Sequence, residues 1–237
     1  MSSSNAVDIN RFRFNRRALK IIAAISMLID HLTCVLFANG LLLSRANFIL
    51  RSVGRIAFPL YAFMMVEGVL HTRNKKKYLL TLLILSIMSE PFFDRALSGQ
   101  WVYNGHQNVI WLFLFASLGI TLIESLNVNK NIAAVVLLLP LGYITTLLKI
   151  DYGIFGMLPI MIFYIFRNDR VISALSILGT FFFEASMLFL VYVPVPILLL
   201  YNGKEPKLGK IEKLFYQYFY PLHLAILSVV AVVMGWH

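Results

Sequence analysis

The feature that most constrains this chain is a succession of long apolar segments separated by short gaps that hold most of its basic residues. A bilayer core about 30 Å thick takes about 20 helical residues to cross. Windows of roughly that size cover most of the sequence: 18–41, 49–70, 78–93, 108–126, 132–148, 153–166, 171–201 and 214–236. With 59% hydrophobic and 14% charged residues, the chain is too apolar for a soluble domain. We therefore predict an all-α fold, a polytopic transmembrane helical bundle.

The number and direction of the crossings follow from the same pattern. Window 171–201 is too long for one simple span and contains Pro194 and Pro196, so we expect it to cross twice. This gives about nine spans, within a range of about eight to ten. Lys and Arg are concentrated in alternate gaps, which indicates a multi-pass protein of the inner (cytoplasmic) membrane with a cytoplasmic N-terminus. We expect residues 1–17 to form a cytoplasmic arm and residues 18–237 a single transmembrane domain.

Composition also narrows the range of possible partners and cofactors. The net charge of +10 resides mainly in the gaps between apolar runs, which favours membrane lipids as partners and argues against nucleic acid. Cys34 is the sole cysteine, so an internal disulfide is excluded. The histidines lie on different predicted helices or loops, without the paired spacing that metal sites favour, and we expect no metal.

Ionisable residues inside the predicted spans are the candidates for function. A charge at membrane depth costs at least ~2.5 kcal/mol on insertion scales, so such residues are rare without a role. They are concentrated in the first three spans: Asp30, His31, Arg51, Arg55, Glu67, His71 and Glu90. The site is therefore predicted to lie in the N-terminal part of the bundle.

Counting along the helices predicts which of these groups meet. Asp30, His31, Arg55, Glu90 and Asn108 reach similar heights in the middle to outer half of the membrane, and we expect Asp30 to pair with Arg55. A second group, at the cytoplasmic end, consists of Glu67, His71 and the nearby Arg73.

Lys20 and His31 share one face of the first helix. Their separation of eleven residues corresponds to three turns, about 16 Å, and to a rotation within about 20° of the same direction. A cation at the inner rim and an imidazole deep in the bundle would suit coenzyme A, which has anionic phosphates at one end and a reactive thioester at the other. Histidine can also remove a proton from an attacking amine or hydroxyl near neutral pH. This arrangement predicts His31 as a general base.

Several motifs resemble the TraX family of membrane acetyltransferases, named for the acetylase of the conjugative F pilin. The similar segments include Ile29-Asp30-His31, Gly54-Arg55, Glu67-Gly68, His71-Thr72-Arg73, Glu90-Pro91, Asn108 and Tyr220-Pro221-Leu222-His223. The resemblance is dense in the first half and in the last helix, whereas about 126–201 matches mainly in hydrophobicity. The basic residue and histidine of the first helix also resemble those of broader membrane acyltransferases.

The resemblance implies acetyl-CoA as the donor, entering from the cytoplasm, and His31 as the essential residue. We interpret His31 and Asp30 as catalytic, and expect Lys20, Arg51 and Arg73 to hold the cofactor. The remaining polar lining is predicted to comprise Arg55, Glu67, His71, Glu90, Asn108 and His223. The acceptor is left open among a protein N-terminus, a glycan and a small amine.

Other interpretations of the same residues remain open. The buried groups could be structural hydrogen-bond and ion-pair partners between helices, and His223 could serve packing beside Pro221. The principal functional alternative is a proton-coupled transporter that uses the Asp, His, Arg and Glu cluster as a relay. A non-enzymatic assembly protein is a third alternative, although it would not explain the concentration of charges in three helices.

Overall fold

The computed structural model describes residues 13–182 and 189–236, and within these ranges the regular structure is helical. The helices are α1 (Arg16–Ala38), α2 (Ser44–Gly54), α3 (Ala57–His71), α4 (Lys75–Ser98), α5 (Val109–Ser125), α6 (Lys130–Leu147), α7 (Gly153–Ile165), α8 (Arg170–Thr180), α9 (Pro194–Leu199) and α10 (Lys210–Val233), with a 3₁₀ turn at Phe189–Tyr192 before α9. The prediction of an all-α protein is confirmed for this part of the chain.

Short polar side chains set where many helices begin. The side chains of Asn15, Asn74, Asn108, Asn129 and Asp169 each accept a hydrogen bond from a backbone N–H in the first turn of the following helix. Such caps satisfy donors that have no partner within the helix. Capping matters more inside a bilayer, where water cannot take that role.

The second predicted span is broken into two helices. α2 ends at Gly54 and α3 begins at Ala57, so Arg55 lies at the break. Pro59 falls in the first turn of α3, where its missing N–H removes no helical hydrogen bond. The break lies beside the residues that the sequence singles out.

Helix α3 is the buried centre of the bundle. It contacts α1, α5, α7 and α9, and ten of its fifteen residues are buried. A second apolar cluster joins α1, α4 and α10, with Phe93, Tyr220 and Leu224 among its members. The candidate site lies where these two cores meet.

The outer surface of the helices is strongly apolar. On α1, the exposed residues include Ile21, Ile25, Leu28 and Leu32, which recur at helical spacing on one side. The exposed side chains of α10 have the same character and include Phe215, Leu222, Ile226, Val229, Val230 and Val233. A surface of this extent is suited to lipid rather than water, so the protein is a membrane protein.

In the part of the chain that the structure describes, four helical segments are long and apolar enough to cross a membrane: Arg16–Ala38, Ser44–His71, Lys130–Leu147 and Lys210–Val233. The predicted count of about nine is therefore not confirmed. The shorter apolar helices Val109–Ser125, Gly153–Ile165, Arg170–Thr180 and Leu190–Leu199 fall below the length of a full span. The predicted double crossing of window 171–201 includes residues 183–188, which lie outside the described residues.

Candidate functional site

Two histidines from opposite ends of the chain form the centre of the site. His31 on α1 and His223 on α10 are both buried, and their Nδ1 and Nε2 atoms, respectively, are 2.7 Å apart. The ring planes differ by 1° and the ring centroids are 5.0 Å apart. Since the centroid separation is nearly twice the distance between the nitrogens, the rings meet edge to edge in one plane rather than face to face.

The hydrogen-bond network assigns the tautomers of this histidine pair. Nδ1 of His223 lies 2.7 Å from the carbonyl oxygen of Phe219, which can only accept, so this nitrogen carries a proton. In the neutral ring, Nε2 of His223 then accepts, and Nδ1 of His31 donates to it. The remaining nitrogen of His31, Nε2, is left with a lone pair.

His31 borders a cavity of about 150 Å³ inside the bundle. Aromatic and aliphatic side chains form most of the lining, including Phe58, Tyr61, Phe113 and Tyr216. Asp30 also borders it, and Asp151 contributes a second carboxylate from the loop before α7. A small polar reactant placed here would meet a histidine base within largely apolar walls.

Asp30 pairs with Arg51, so the prediction that it pairs with Arg55 is wrong. The Arg51 guanidinium donates to Asp30 Oδ2 at 2.6 Å and to Cys34 Sγ at 2.8 Å. The other carboxylate oxygen, Oδ1, is buried and has no hydrogen-bond partner among the described residues. It lies against Gly54, where an added Cβ would come within 2.1 Å of Oδ1. The close approach of α1 and α2 thus depends on a residue without a side chain.

Arg55 lies beside the wall of the cavity, where it donates to the Tyr152 hydroxyl at 3.0 Å. The Tyr152 ring stacks on Phe58 with centroids 3.9 Å apart. Tyr152 has φ +65°, a left-handed conformation that non-glycine residues rarely adopt. The contacts of its ring and hydroxyl hold this conformation, and Tyr152 itself lines the cavity.

Glu90 and Asn108 lie together at the start of α5. Glu90 Oε2 accepts from Asn108 Nδ2 and from Trp111 Nε1, both at 2.6 Å. Asn108 Nδ2 also donates to the Ser86 carbonyl at 2.9 Å, and Asn108 Oδ1 caps Ile110 N at 3.0 Å. The predicted proximity of these two residues is observed, and in the structure they fix α4 to the first turn of α5.

The remaining predicted residues lie toward the other end of the bundle. Glu67 is 3.7 Å from Arg16 and accepts from the Tyr201 hydroxyl at 3.2 Å, while His71 is exposed and bonds the Glu67 carbonyl through Nδ1. Arg73 is exposed in the turn before α4. These three do not border the cavity that contains His31.

Lys20 connects this end to the cavity. Its Nζ lies 5.8 Å from the centre of the Tyr216 ring, and Tyr216 lines the cavity. Arg16 and Lys213 are close enough to act electrostatically on Lys20, as are two glutamates. A basic rim therefore lies on the Tyr216 side of the cavity.

At the other end, His106 Nε2 lies 3.4 Å from Asp151 Oδ1. The hydrogen bond to Asp151 raises the pKa of His106 above its ordinary value, against the opposing effect of burial. Backbone hydrogen bonds between Gln107 and residues Lys149 and Asp151 join the two loops that carry this pair. The contact holds the loop that positions Tyr152.

Three features of the site were not predicted: the direct contact of His31 with His223, the role of Tyr152 and the presence of Tyr220. His223 and Tyr220 are three residues apart on α10 and therefore lie on the same helix face. The prediction of His223 as a site residue could thus have led to Tyr220. The contact across 192 residues of sequence has no local signal.

Fold and site together define a helical membrane protein with a histidine pair at a small internal cavity. The chain belongs to the TraX family, whose model, described as TraX protein, matches residues 15–231. It is also 28% identical over 249 residues to the probable fimbrial assembly protein FimC, serogroup H1, of Dichelobacter nodosus, an alignment that covers 94% of this chain and 96% of that protein. No solved structure matches the chain significantly. The family resemblance inferred from the motifs is confirmed.

Proposed function

We propose that this protein is an integral membrane acetyltransferase that moves an acetyl group from acetyl-CoA to an amine or hydroxyl, with His31 as the general base. The observation that carries the proposal is the hydrogen-bonded chain Phe219 carbonyl, His223, His31, which leaves a lone pair on His31 Nε2 beside the cavity. A histidine base needs an oriented ring and a nitrogen with an available lone pair, and this series of hydrogen bonds supplies both.

In the proposed reaction, His31 Nε2 takes the proton of the acceptor as its nitrogen or oxygen attacks the acetyl carbonyl carbon. The new bond to the acceptor forms, the carbon–sulfur bond breaks, and the proton passes to the departing thiolate of coenzyme A. His223 holds the His31 ring and stabilises the charge that it gains. The apolar walls reduce competing attack by water.

The size of the cavity supports a small acyl group. A cavity of about 150 Å³ is large enough to hold a group about the size of benzene. An acetyl thioester fits such a space, whereas the nucleotide of coenzyme A must lie outside it. Lys20, with Arg16 and Lys213 near it, would attract the phosphates at the Tyr216 rim. Arg51 is paired with Asp30, so its predicted role in holding the cofactor has less support. The same applies to Arg73, which does not border the cavity.

We propose a pilus or fimbrial subunit as the acceptor, because the family is named for a pilin acetylase and the relative FimC is described as a fimbrial assembly protein. The topology of about nine crossings, with a cytoplasmic N-terminus in the inner membrane, belongs to the same proposal. In this topology, the basic rim near Lys20 lies on the cytoplasmic side of the membrane, where acetyl-CoA is available.

The test uses the full chain in lipid nanodiscs with acetyl-CoA labelled in its acetyl group and a synthetic peptide of a pilus subunit N-terminus. We expect labelled peptide, or slow release of labelled acetate, and a loss of at least about 10²-fold in His31→Gln. Ser228→Ala is the matched control, since it removes a buried hydrogen bond from α10 to Phe92 without touching the cavity. Full activity in His31→Gln would contradict the role of His31 as general base.

Binding distinguishes the transporter alternative. A proton relay has no reason to recognise coenzyme A, so equilibrium binding of unlabelled coenzyme A to the nanodisc protein should be detectable only if the transferase proposal holds. Proton movement into vesicles without coenzyme A binding would favour the transporter.

A further inference from the structure

The hydroxyl of Tyr220 is a buried polar group at the wall of the cavity. Tyr220 is 8% exposed, lines the cavity, and its hydroxyl forms no hydrogen bond with the described residues. Leaving a buried hydroxyl unpaired is unfavourable, so such groups call for an explanation. A ligand in the cavity is the partner that the location allows.

A second donor lies beside that hydroxyl. The Asn108 side chain caps the N–H of Ile110, and the N–H of Trp111 bonds the Asn108 carbonyl at 3.3 Å. The N–H of Val109, the first residue of α5, has no such partner among the described residues. Val109 borders the cavity, and its N–H lies close to the Tyr220 oxygen.

Tyr220 contacts the histidine base, and Val109 lines the same cavity as both. The rings of Tyr220 and His31 contact edge to face, with centroids 5.9 Å apart and planes at 78°. The positive end of the α5 dipole adds to the field of the Val109 N–H. Arg51 and Arg55 are less suited to the same task, because they bond Asp30 and Tyr152 respectively.

We propose that the Tyr220 hydroxyl and the Val109 N–H form the oxyanion hole of the acyl transfer, an inference that rests on the proposed function. When the acceptor adds to the acetyl carbon, the carbonyl electron pair moves to oxygen, and both donors stabilise the negative charge. The pair returns as the carbon–sulfur bond breaks. Tyr220 keeps its proton throughout, so it is a catalytic residue that acts by hydrogen bonding rather than by proton transfer.

Tyr220→Phe tests the proposal, since it keeps the ring and removes one oxygen. We expect kcat to fall roughly 10²- to 10³-fold with little change in KM. Binding of S-ethyl-CoA, a thioether that lacks the carbonyl, should be unchanged, and thermal unfolding should be unchanged or shift upward because the lost hydroxyl was unpaired. Tyr143→Phe is the control: its side chain is 59% exposed on α6, and the variant should match the wild type.

A spectroscopic measurement separates this proposal from the function on which it rests. In His31→Gln, bound acetyl-CoA labelled with ¹³C at the carbonyl should show a carbonyl stretch at lower frequency than in water, and adding Tyr220→Phe should reverse most of that shift. Wild-type kcat in Tyr220→Phe, an unshifted stretch, or loss of S-ethyl-CoA binding overturns the oxyanion hole while leaving His31 as base. A wild-type protein that neither transfers nor hydrolyses acetyl groups overturns both.

Discussion

Two histidine contacts lie near opposite parts of the same cavity, and their partners differ. His31 inside the bundle meets a neutral ring whose other nitrogen is bonded to a backbone carbonyl. His106, in the loop before α5, meets the carboxylate of Asp151, and its side chain is 44% exposed. The first contact leaves a lone pair facing the cavity, whereas the second favours the protonated ring.

The comparison shows that the partner, rather than the residue type, sets what a histidine can do. A carboxylate next to a histidine stabilises the imidazolium, so the ring keeps its proton to a higher pH. A neutral acceptor orients the ring without fixing a charge on it. Inside a membrane protein, the neutral pair also avoids a buried charge. His31 is therefore suited to chemistry and His106 to holding two loops together.

The largest expected effect comes from breaking the inner contact. His223→Leu removes the acceptor for His31 Nδ1–H and frees the His31 ring to adopt the other tautomer, so we expect acetyl transfer to fall about 10³-fold, within the range of lost base catalysis. His223→Gln keeps an acceptor oxygen and should retain more activity. The assay is the labelled transfer described above, with Ser228→Ala as control. Equal activities in the Leu and Gln variants would contradict the orienting role.

An ion pair next to the histidine pair gives the second prediction. Asp30 and Arg51 are largely buried, with side-chain exposures of 14% and 24%, so Arg51→Met leaves a carboxylate without its partner. We expect a loss of about 3 kcal/mol in unfolding free energy in detergent. The double variant Asp30→Leu with Arg51→Met should recover most of it. A double variant as unstable as the sum of both singles would show that the pair is not energetically coupled.

The sequence predicted the helical class and the grouping of Glu67, His71 and Arg73 at one end of the bundle, but it also assigned Glu67 and His71 to the polar lining, whereas in the structure neither borders the cavity. The helical class and the grouping follow from local properties: hydropathy, spacing and charge. The partner of Asp30 could not be derived in this way, because Arg51 and Arg55 are four residues apart on one predicted face. The break after Gly54 and its close approach to Asp30 decide between them.

The contact of His31 with His223 was likewise beyond sequence reasoning. It requires α10 to pack beside α1 and α4, and hydropathy does not say which helices are neighbours. The two span counts differ for a related reason. Helices surrounded by protein, such as α7, need not have the length of an isolated span, so a count from apolar windows and a count from helix lengths differ.

The smallest expected effect concerns the outer contact. Since Asp151 raises the pKa of His106, the folded state binds this proton more tightly than the unfolded chain does. The resulting stability is fully present below the ordinary histidine pKa, about 6.5, and is lost as the pH rises through the higher folded value. His106→Gln should therefore lower the free energy of unfolding slightly in acid, by no more than about 0.5 kcal/mol because water screens the pair.

Unfolding of wild type and His106→Gln is measured in the same detergent from pH 5 to 9, about the window in which an elevated histidine titrates. The two curves should converge toward high pH, and acetyl transfer should change little if His106 only fixes the loops. Asn104→Ala, in the same exposed loop, controls for general loosening. A gap that widens at high pH would reverse the sign of the linkage, and a loss of transfer as large as that of His223→Leu would remove the distinction between the two histidines.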